Sequence, residues 1–203
     1  MSKPTNLEFQ KIFDHVAQKY DQISNPYTVN KRKEFFAKWA KGQCLEVGAG
    51  TGEISLALKQ KGLDVVATDI SPKMVAEIKK KGVKAIVSDA EKLPFEKNSF
   101  NTVIAGEMLY YLDKPEKFIT EAYRLLKPKG HLLISSANEE LKIIDRLRTF
   151  LRKVGIAKTY FDDPINKFNT TKQIDKLLRE GKFKNIRIRK VILGMFIVAS
   201  ARK

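Results

Sequence analysis

Three acidic residues stand at the ends of successive apolar runs in the first half of the chain. The runs "QCLEV", "DVVATD" and "KAIVSD" carry Glu46, Asp69 and Asp89 at or next to their last positions. Such runs predict short parallel strands, and ligands bind outside the carboxyl ends of strands in an open parallel sheet. We therefore expect the three carboxylates to face one crevice, where they would accept hydrogen bonds from a ligand rich in donors or positive charge.

Glycines at positions 48, 50 and 52 directly follow the first of these acids, in "EVGAGTGEIS". A glycine turn of this kind is similar to a dinucleotide-binding loop, but the third glycine of that fingerprint would fall at position 53. Position 53 is Glu53, and Glu46 lies just before the turn. Two carboxylates beside the turn disfavour a phosphate, so the sequence predicts a cofactor that has none.

S-adenosylmethionine has the chemistry that this arrangement favours. It carries an ammonium, a ribose diol, an exocyclic amine and a sulfonium, and it has no phosphate. Each signal alone is weak, because Asp69 could be a turn residue and Asp89 a loop acid. Their joint placement at successive strand ends is what makes the prediction specific.

An alternation of strands and helices must position these acids. The apolar pattern predicts strands at 43–47, 64–69, 84–89, 100–107 and 130–137, with helices between them. Ser71 before a proline predicts the start of one helix, and Asp113 with Glu116 resembles a capping box at the start of another. Short connections between alternating elements imply a parallel sheet covered on both faces.

Further elements are predicted on either side of this core. Residues 7–40 predict two helices, separated at "SNPY", of which the second begins at about Val29. Beyond the fifth strand, an amphipathic helix around 143–154 and another helix near 170–180 are predicted. The last two strands, "NIRIRKVIL" and "MFIVASA", are separated by little more than Gly194, which predicts an antiparallel hairpin.

Composition limits the class of protein more than it identifies a partner. The chain of 203 residues has a net charge of +16, which would attract nucleic acid, anionic lipid or an acidic substrate. A solvated surface coated with lysine explains that charge most simply. Cys44 is the one cysteine, and the sequence has neither a signal-like N-terminus nor a membrane-length apolar run. We expect a cytoplasmic protein.

Four stretches in succession resemble motifs of the class I S-adenosylmethionine-dependent methyltransferases. They are "CLEVGAGTGEIS", "VVATDISPKM", "AIVSDAEKLPFEKNSFNTVIAG" and "EAYRLLKPKGHLLIS". Their order and spacing are similar to the small-molecule subgroup that includes the ubiquinone/menaquinone C-methyltransferases. The resemblance covers roughly residues 10–135 and, more loosely, the final hairpin.

That resemblance implies an α/β fold with a Rossmann-like, mostly parallel sheet of seven strands and an antiparallel last strand. Helices would cover both faces, and an N-terminal helical lid would lie over the site. The chain would be a single methyltransferase domain over 1–203. Its parts would be the lid (1–41), a cofactor-binding core (42–137), a substrate-capping region (138–182) and a C-terminal β-hairpin (183–203).

The resemblance also implies roles at matching positions. Asp69 would hold the ribose hydroxyls, Asp89 would accept from the adenine amine, and Glu46 would lie close to the ammonium. The full set of implied cofactor-binding residues is Tyr20, Glu46, Gly48, Ala49, Gly50, Asp69, Ile70, Met74, Asp89, Ala90, Ala105 and Gly106. S-adenosylhomocysteine would be the product, and no metal is expected.

Residues that act on the methyl acceptor are less well marked. Tyr20 and His15 fall in the segment "FDHVAQKYD", which resembles the lid of the family, and Tyr110 and Tyr111 follow the fourth strand. These four are candidates for contact with the acceptor, although a surface position for His15 and a packing role for one tyrosine are the simpler alternatives. His131 is expected to be structural.

The acceptor itself stays open at this stage. The segment "RLRTFLRKVGIAK" places Arg146, Arg148 and Arg152 on a basic helix face in the expected capping region. Such a helix would cover an anionic small molecule, rest on a membrane surface or contact RNA phosphates. No RNA-binding module is visible, so we rank a small molecule above RNA. A cofactor-binding protein without catalytic activity is a third alternative, and the oligomeric state is not predicted.

Overall fold

The computed structural model describes residues 5–138 and 170–203. In this part of the chain, one seven-stranded sheet has the strand order β3-β2-β1-β4-β5-β7-β6. Its strands are β1 (Gln43–Val47), β2 (Asp64–Asp69), β3 (Lys84–Val87), β4 (Phe100–Gly106), β5 (Leu126–Ala137), β6 (Lys184–Val191) and β7 (Phe196–Arg202).

The first five strands are parallel, because β1 pairs with β2 and β4, β2 with β3, and β4 with β5 in that sense. The last strand, β7, runs antiparallel between β5 and β6. The predicted seven-stranded, mostly parallel sheet is therefore confirmed. The strand order reverses direction at β1 and β4, and the crevice outside their carboxyl ends is where open α/β sheets bind ligands.

Helices cover both faces of this sheet. They are α1 (Asn6–Val16), α2 (Tyr20–Ile23), α3 (Pro26–Trp39), α4 (Glu53–Gln60), α5 (Pro72–Lys80), α6 (Pro115–Leu125) and α7 (Thr171–Glu180). On one face Phe118 of α6 and Ile174 of α7 join a buried cluster with Val103. On the other, Phe36 of α3 packs in a cluster with Ile104. Neighbouring residues of β4 thus point to opposite faces, as the period of a strand requires.

We use the name lid for the part of the predicted N-terminal lid (1–41) that precedes α3. Helix α1, a 3₁₀ turn (Ala17–Lys19) and α2 follow one another across the carboxyl ends of β2 and β3. Two hydrogen bonds hold α1 there. Asn6 donates to Asp89 after β3, and Asp14 accepts from the hydroxyl of Ser71 after β2. The lid therefore lies on the same edge of the sheet as the predicted cofactor site.

Local capping signals explain where most helices begin. Ser71 caps α5 as predicted, since its hydroxyl accepts from the Met74 backbone N–H at 3.0 Å. The predicted capping box at Asp113 is wrong, because α6 begins at Pro115 after Lys114, which supplies no side-chain cap. A proline with its fixed φ can begin a helix without such a cap.

Helix α3 also begins earlier than predicted, at Pro26 instead of about Val29. The side chain of Asn25 accepts hydrogen bonds from the backbone N–H groups of Tyr27 and Thr28. This N-cap, together with a proline in the first helical position, moves the start of the helix into the "SNPY" segment.

Several strand bounds differ from their predicted positions. Strand β3 ends at Val87, so Asp89 lies in the following loop, and β5 already begins at Leu126. The β6–β7 turn is longer than Gly194 alone, with positive φ at Ile192 and Leu193 as well. The predicted helix with Arg146, Arg148 and Arg152 falls in 139–169, outside the described residues.

Candidate active site

The carboxyl ends of β1, β2 and β4 open into one cleft beneath the lid. Parallel pairing sets Val47 of β1 beside Thr68 of β2 and Ala105 of β4, so the three strands end at the same level. Glu46, Asp69 and Asp89 all line this cleft, as do residues of α1, α2 and α3. The sheet register thus brings together three acids that are far apart in the sequence.

The glycine turn forms the floor of the cleft between β1 and α4. Gly48, Gly50 and Gly52 all have positive φ, at 64°, 56° and 80°, which side chains disfavour. A Cβ atom on Gly48 would lie 2.9 Å from the Cβ of Met108, so this position also lacks room for a side chain. The backbone can therefore approach a ligand closely along 48–50.

Asp69 is held at the end of β2 by two backbone donors. Its Oδ2 accepts from the Gly50 N–H at 2.8 Å and its Oδ1 from the Ser71 N–H at 2.9 Å. Burial raises the pKa of this carboxyl to about 6, although the hydrogen bonds from these two donors act to lower it. Each oxygen keeps a further lone pair, so the fixed carboxylate can accept from both hydroxyls of a vicinal diol.

Glu46 is the most deeply buried of the three acids, with 1% of its surface exposed. The hydroxyl of Ser55, on α4, donates to its Oε2. Burial raises the pKa of the Glu46 carboxyl to about 7. Because an unpaired buried charge is costly, this carboxylate would gain from a cationic ligand such as an ammonium.

Asp89 lies where the lid meets the loop after β3. Its Oδ2 accepts from the side-chain amide of Asn6 at 3.1 Å, and its Oδ1 accepts from the Glu91 N–H at 2.8 Å. Ala90 and Ile70, which the sequence also placed at the cofactor, line the same part of the cleft. An amide already donates to Asp89, which shows that this carboxylate can accept from an exocyclic amine.

A network of charged side chains joins the lid to the helices below. Asp21 of α2 pairs with Lys81 at 2.8 Å and accepts from the Thr51 hydroxyl. Lys81 also pairs with Glu53 at 2.6 Å, and Lys33 of α3 pairs with the other oxygen of Glu53. Glu53 occupies the position where a dinucleotide-binding loop would have its third glycine. Through Lys81, it helps to hold the lid against α4.

The structure brings most of the predicted site residues together, but not all. Tyr20, Gly106 and Tyr111 line the cleft along with the three acids and the turn. Met74 and Ala105 are fully buried instead of lining it, Met74 beneath the lid in a cluster with Val16 and Ala17. Both positions were implied by the resemblance to the family, and a matching motif does not give the direction of a side chain.

Two candidates for contact with the acceptor also lie away from the cleft lining. His15 is exposed on the outer side of α1. Tyr110 is turned toward the protein, where its hydroxyl donates to Glu107 at 3.3 Å. Burial raises the pKa of Tyr110 far above its usual value, so this phenol stays protonated.

The sequence analysis missed several residues that line the cleft, among them Glu107 and Arg32. Glu107 directly follows β4, and Asp69 is the last residue of β2, so an acid at a strand end was a usable signal for Glu107 as well. Arg32 comes from α3. Burial raises the pKa values of Glu46 and Glu107, and the positive charge of Arg32 opposes that increase. No local pattern marks Arg32, because only the packing of α3 brings it to the cleft.

Neither a metal centre nor a membrane span is found in the described part of the chain. No group of three or more histidine, cysteine or acidic side chains in residues 5–138 and 170–203 is arranged to hold a metal ion. Within the same residues, no helix has the length and apolar character needed to cross a bilayer.

Fold and site together define a class of protein. A doubly wound sheet ends in a cleft lined by three acids, beside a glycine turn that leaves room for close backbone approach. Carboxylates of this kind would suit the ammonium, diol and amine of a ligand without phosphates. These residues fit S-adenosylmethionine, and they identify an α/β enzyme of the methyltransferase type.

Comparison with known proteins gives the family. A methyltransferase domain family matches residues 45–134. The chain is 32% identical over 187 residues to an uncharacterized protein of Methanocaldococcus jannaschii, covering 89% of this chain and 85% of that protein. It is 29% identical over 220 residues to the ubiquinone/menaquinone biosynthesis C-methyltransferase UbiE of Desulfotalea psychrophila, covering 96% and 89%.

A solved structure from Thermotoga maritima, described as an S-adenosylmethionine-dependent methyltransferase and possible histamine N-methyltransferase, has the same fold. The TM-score is 0.74 at 22% identity, over 95% of this chain and 99% of that one. The protein belongs to the class I S-adenosylmethionine-dependent methyltransferases, with S-adenosylmethionine as cofactor and S-adenosylhomocysteine as product.

Proposed function

We propose that this protein methylates a small molecule bound between the lid and the ends of β4 and β5. The observation that carries the proposal is the aromatic roof of the cleft. Phe9 and Phe13 of α1 meet Tyr111 edge-on, with ring centroids 5.3 and 5.2 Å apart. A chamber closed by the protein's own lid suits an acceptor small enough to be enclosed and shielded from water.

The cofactor would be held by the acids at the strand ends. Asp69 would accept from both ribose hydroxyls, Asp89 from the adenine amine, and Glu46 would pair with the ammonium. Tyr20, on the lid, would cover the cofactor from the side opposite the glycine turn. When bound, S-adenosylmethionine supplies an electrophilic methyl group, so the protein would contribute mainly by positioning and by excluding water.

The similar proteins narrow the first acceptors to test. Several are C-methyltransferases of ubiquinone or menaquinone biosynthesis, and one is named 2-methoxy-6-polyprenyl-1,4-benzoquinol methylase. Reduced quinones are therefore a rational first choice. Arg32 in the cleft would also suit an acceptor with an anionic substituent.

Calorimetry tests the cofactor site without an acceptor. S-adenosylmethionine and S-adenosylhomocysteine should both bind, and NAD and ATP should bind much more weakly, because their phosphates would lie beside buried carboxylates. Equal or tighter binding of either phosphate-bearing ligand would contradict the proposed arrangement of the site.

Transfer of label tests the acceptor class. The protein is incubated with S-adenosylmethionine labelled in its methyl group and with either a small-molecule extract or total RNA. We expect label in the small-molecule fraction, lost in the Asp69→Ala variant. Label at one defined RNA site would refute a small-molecule acceptor, and the salt dependence of RNA binding would then show how many phosphates are contacted.

A further inference from the structure

Glu107 lies in the same cleft as the proposed cofactor contacts but is not one of them. It follows Gly106 at the end of β4 and has a positive φ of 57°, a conformation that residues with side chains disfavour. Its backbone N–H donates to the Ser135 carbonyl at 3.0 Å, which fixes this conformation. Strained positions that the surrounding structure maintains cluster at functional sites.

Two hydroxyl groups orient the Glu107 carboxylate. Ser135 of β5 donates to Oε1 at 3.0 Å, and Tyr110 donates to Oε2 at 3.3 Å. Burial raises the pKa of Glu107, while the charge of Arg32 on α3 lowers it. A carboxylate that is fixed in position and has a raised pKa is suited to accept a proton.

The groups around Glu107 show that it faces the chamber. Burial raises the pKa values of Tyr20 on the lid and of Tyr111 on the turn after β4, and the charge of Glu107 adds to both increases. Both tyrosines line the cleft, and so does Arg32. The carboxylate therefore lies among residues from the lid, α3 and the end of β4, on the side of the cleft away from Asp89.

We infer that Glu107 is the proton acceptor of the reaction, and that the methyl acceptor is therefore a nucleophile that loses a proton when it is methylated. This inference rests on the proposed function. The nucleophilic atom of the acceptor forms a bond to the methyl carbon, and the bond between that carbon and sulfur breaks with its electron pair left on sulfur. The proton of the acceptor passes to the Glu107 carboxylate.

Sinefungin tests this inference without knowledge of the acceptor. In this analogue a carbon bearing an ammonium group replaces the methylated sulfur, so its positive charge extends toward the acceptor position. S-adenosylhomocysteine has no group there. Both ligands share the adenine, ribose and amino acid, so contributions from Glu46, Asp69 and Asp89 cancel in the ratio of their dissociation constants.

The ratio of the dissociation constant for S-adenosylhomocysteine to that for sinefungin is measured by calorimetry at pH 8, for the native protein and for Glu107→Gln. A hydrogen bond to a charged group predicts that the native protein binds sinefungin about tenfold more tightly than S-adenosylhomocysteine. In Glu107→Gln the ratio should approach one, while the affinity for S-adenosylhomocysteine stays within about twofold. Glutamine keeps the size of the side chain, and the hydroxyls of Ser135 and Tyr110 can rotate to suit it.

Glu116→Gln is the matched control, since Glu116 is exposed on α6 and does not line the cleft. It removes the same charge from the protein and should leave the ratio unchanged. A native ratio near one, or a preference for sinefungin that survives in Glu107→Gln, would overturn the inference. Failure of the native protein to bind either ligand would instead refute the proposed function.

Discussion

Replacement of Asp69 by alanine should weaken cofactor binding without unfolding the protein. The structure fixes both oxygens of this carboxylate through the N–H groups of Gly50 and Ser71, and leaves each oxygen able to accept once more. Hydrogen bonds to charged groups contribute about 1.5–3 kcal/mol each. Loss of one such bond corresponds to at least about a tenfold rise in the dissociation constant, and loss of both to considerably more.

The effect on stability should be smaller, because two consequences of the substitution oppose each other. Alanine leaves the Gly50 and Ser71 N–H groups without their acceptor, which costs about 1–3 kcal/mol for each buried donor. It also removes a buried carboxyl, 7% exposed, whose pKa is raised to about 6 because burial disfavours its charge. The fold should therefore persist, with a modest change in Tm.

The assay is calorimetric titration with S-adenosylhomocysteine, accompanied by circular dichroism to verify folding. Asp64→Ala is the matched control, since Asp64 lies exposed at the other end of the same strand. It should bind like the native protein. A folded Asp69→Ala variant with an unchanged dissociation constant would refute the reasoning and would mean that the ribose lies elsewhere.

Two further substitutions test the electrostatics of the site. The folded pKa of Glu46, about 7, exceeds its usual value of 4.5, so the protein without cofactor should lose up to about 3 kcal/mol of stability as pH rises through this range. Glu46→Gln should abolish that loss, so that Tm rises at pH 8 but not at pH 4.5. The same variant should bind S-adenosylhomocysteine more weakly. An unchanged pH dependence of Tm would contradict the raised pKa of Glu46. Lys81→Met should remove the ion pairs of Lys81 with Asp21 of the lid and with Glu53 of α4. Dissociation of S-adenosylhomocysteine should then be severalfold faster in stopped-flow measurements, with less than about 1 kcal/mol lost in stability because these pairs are partly exposed. Lys80→Met is the control, because Lys80 is the neighbouring residue and pairs with Glu77 instead. It should leave the rate of dissociation unchanged. Equal rates in the two variants would show that the ion pairs of Lys81 do not hold the lid.

The core of the fold could be predicted because its signals are local. Strands β1 and β2 begin and end where the apolar runs do, and Ser71 with its following proline sets the start of α5. Burial on both faces makes a parallel strand apolar throughout, which the sequence displays directly. The error at Asp113 arose where two local signals, a capping box and Pro115, lay side by side and the proline determined the helix start.

The candidate site, like the fold, could be predicted only where its signals are local. The acids at the strand ends could be found from sequence alone, because strand direction and the parallel sheet carry every carboxyl end to one edge. The sequence did not show that Met74 and Ala105 point into the core, since motif spacing does not fix the direction of a side chain.

By itself, the sequence determined the class of enzyme, the order of its elements and the acids that suit a phosphate-free cofactor. The tertiary structure alone decided what surrounds the acceptor position. Arg32 on α3, Phe13 on the lid and Glu107 after β4 belong to three separate elements, and all three line one cleft. Contacts of this kind depend on how distant segments pack, and no periodicity along the chain records them.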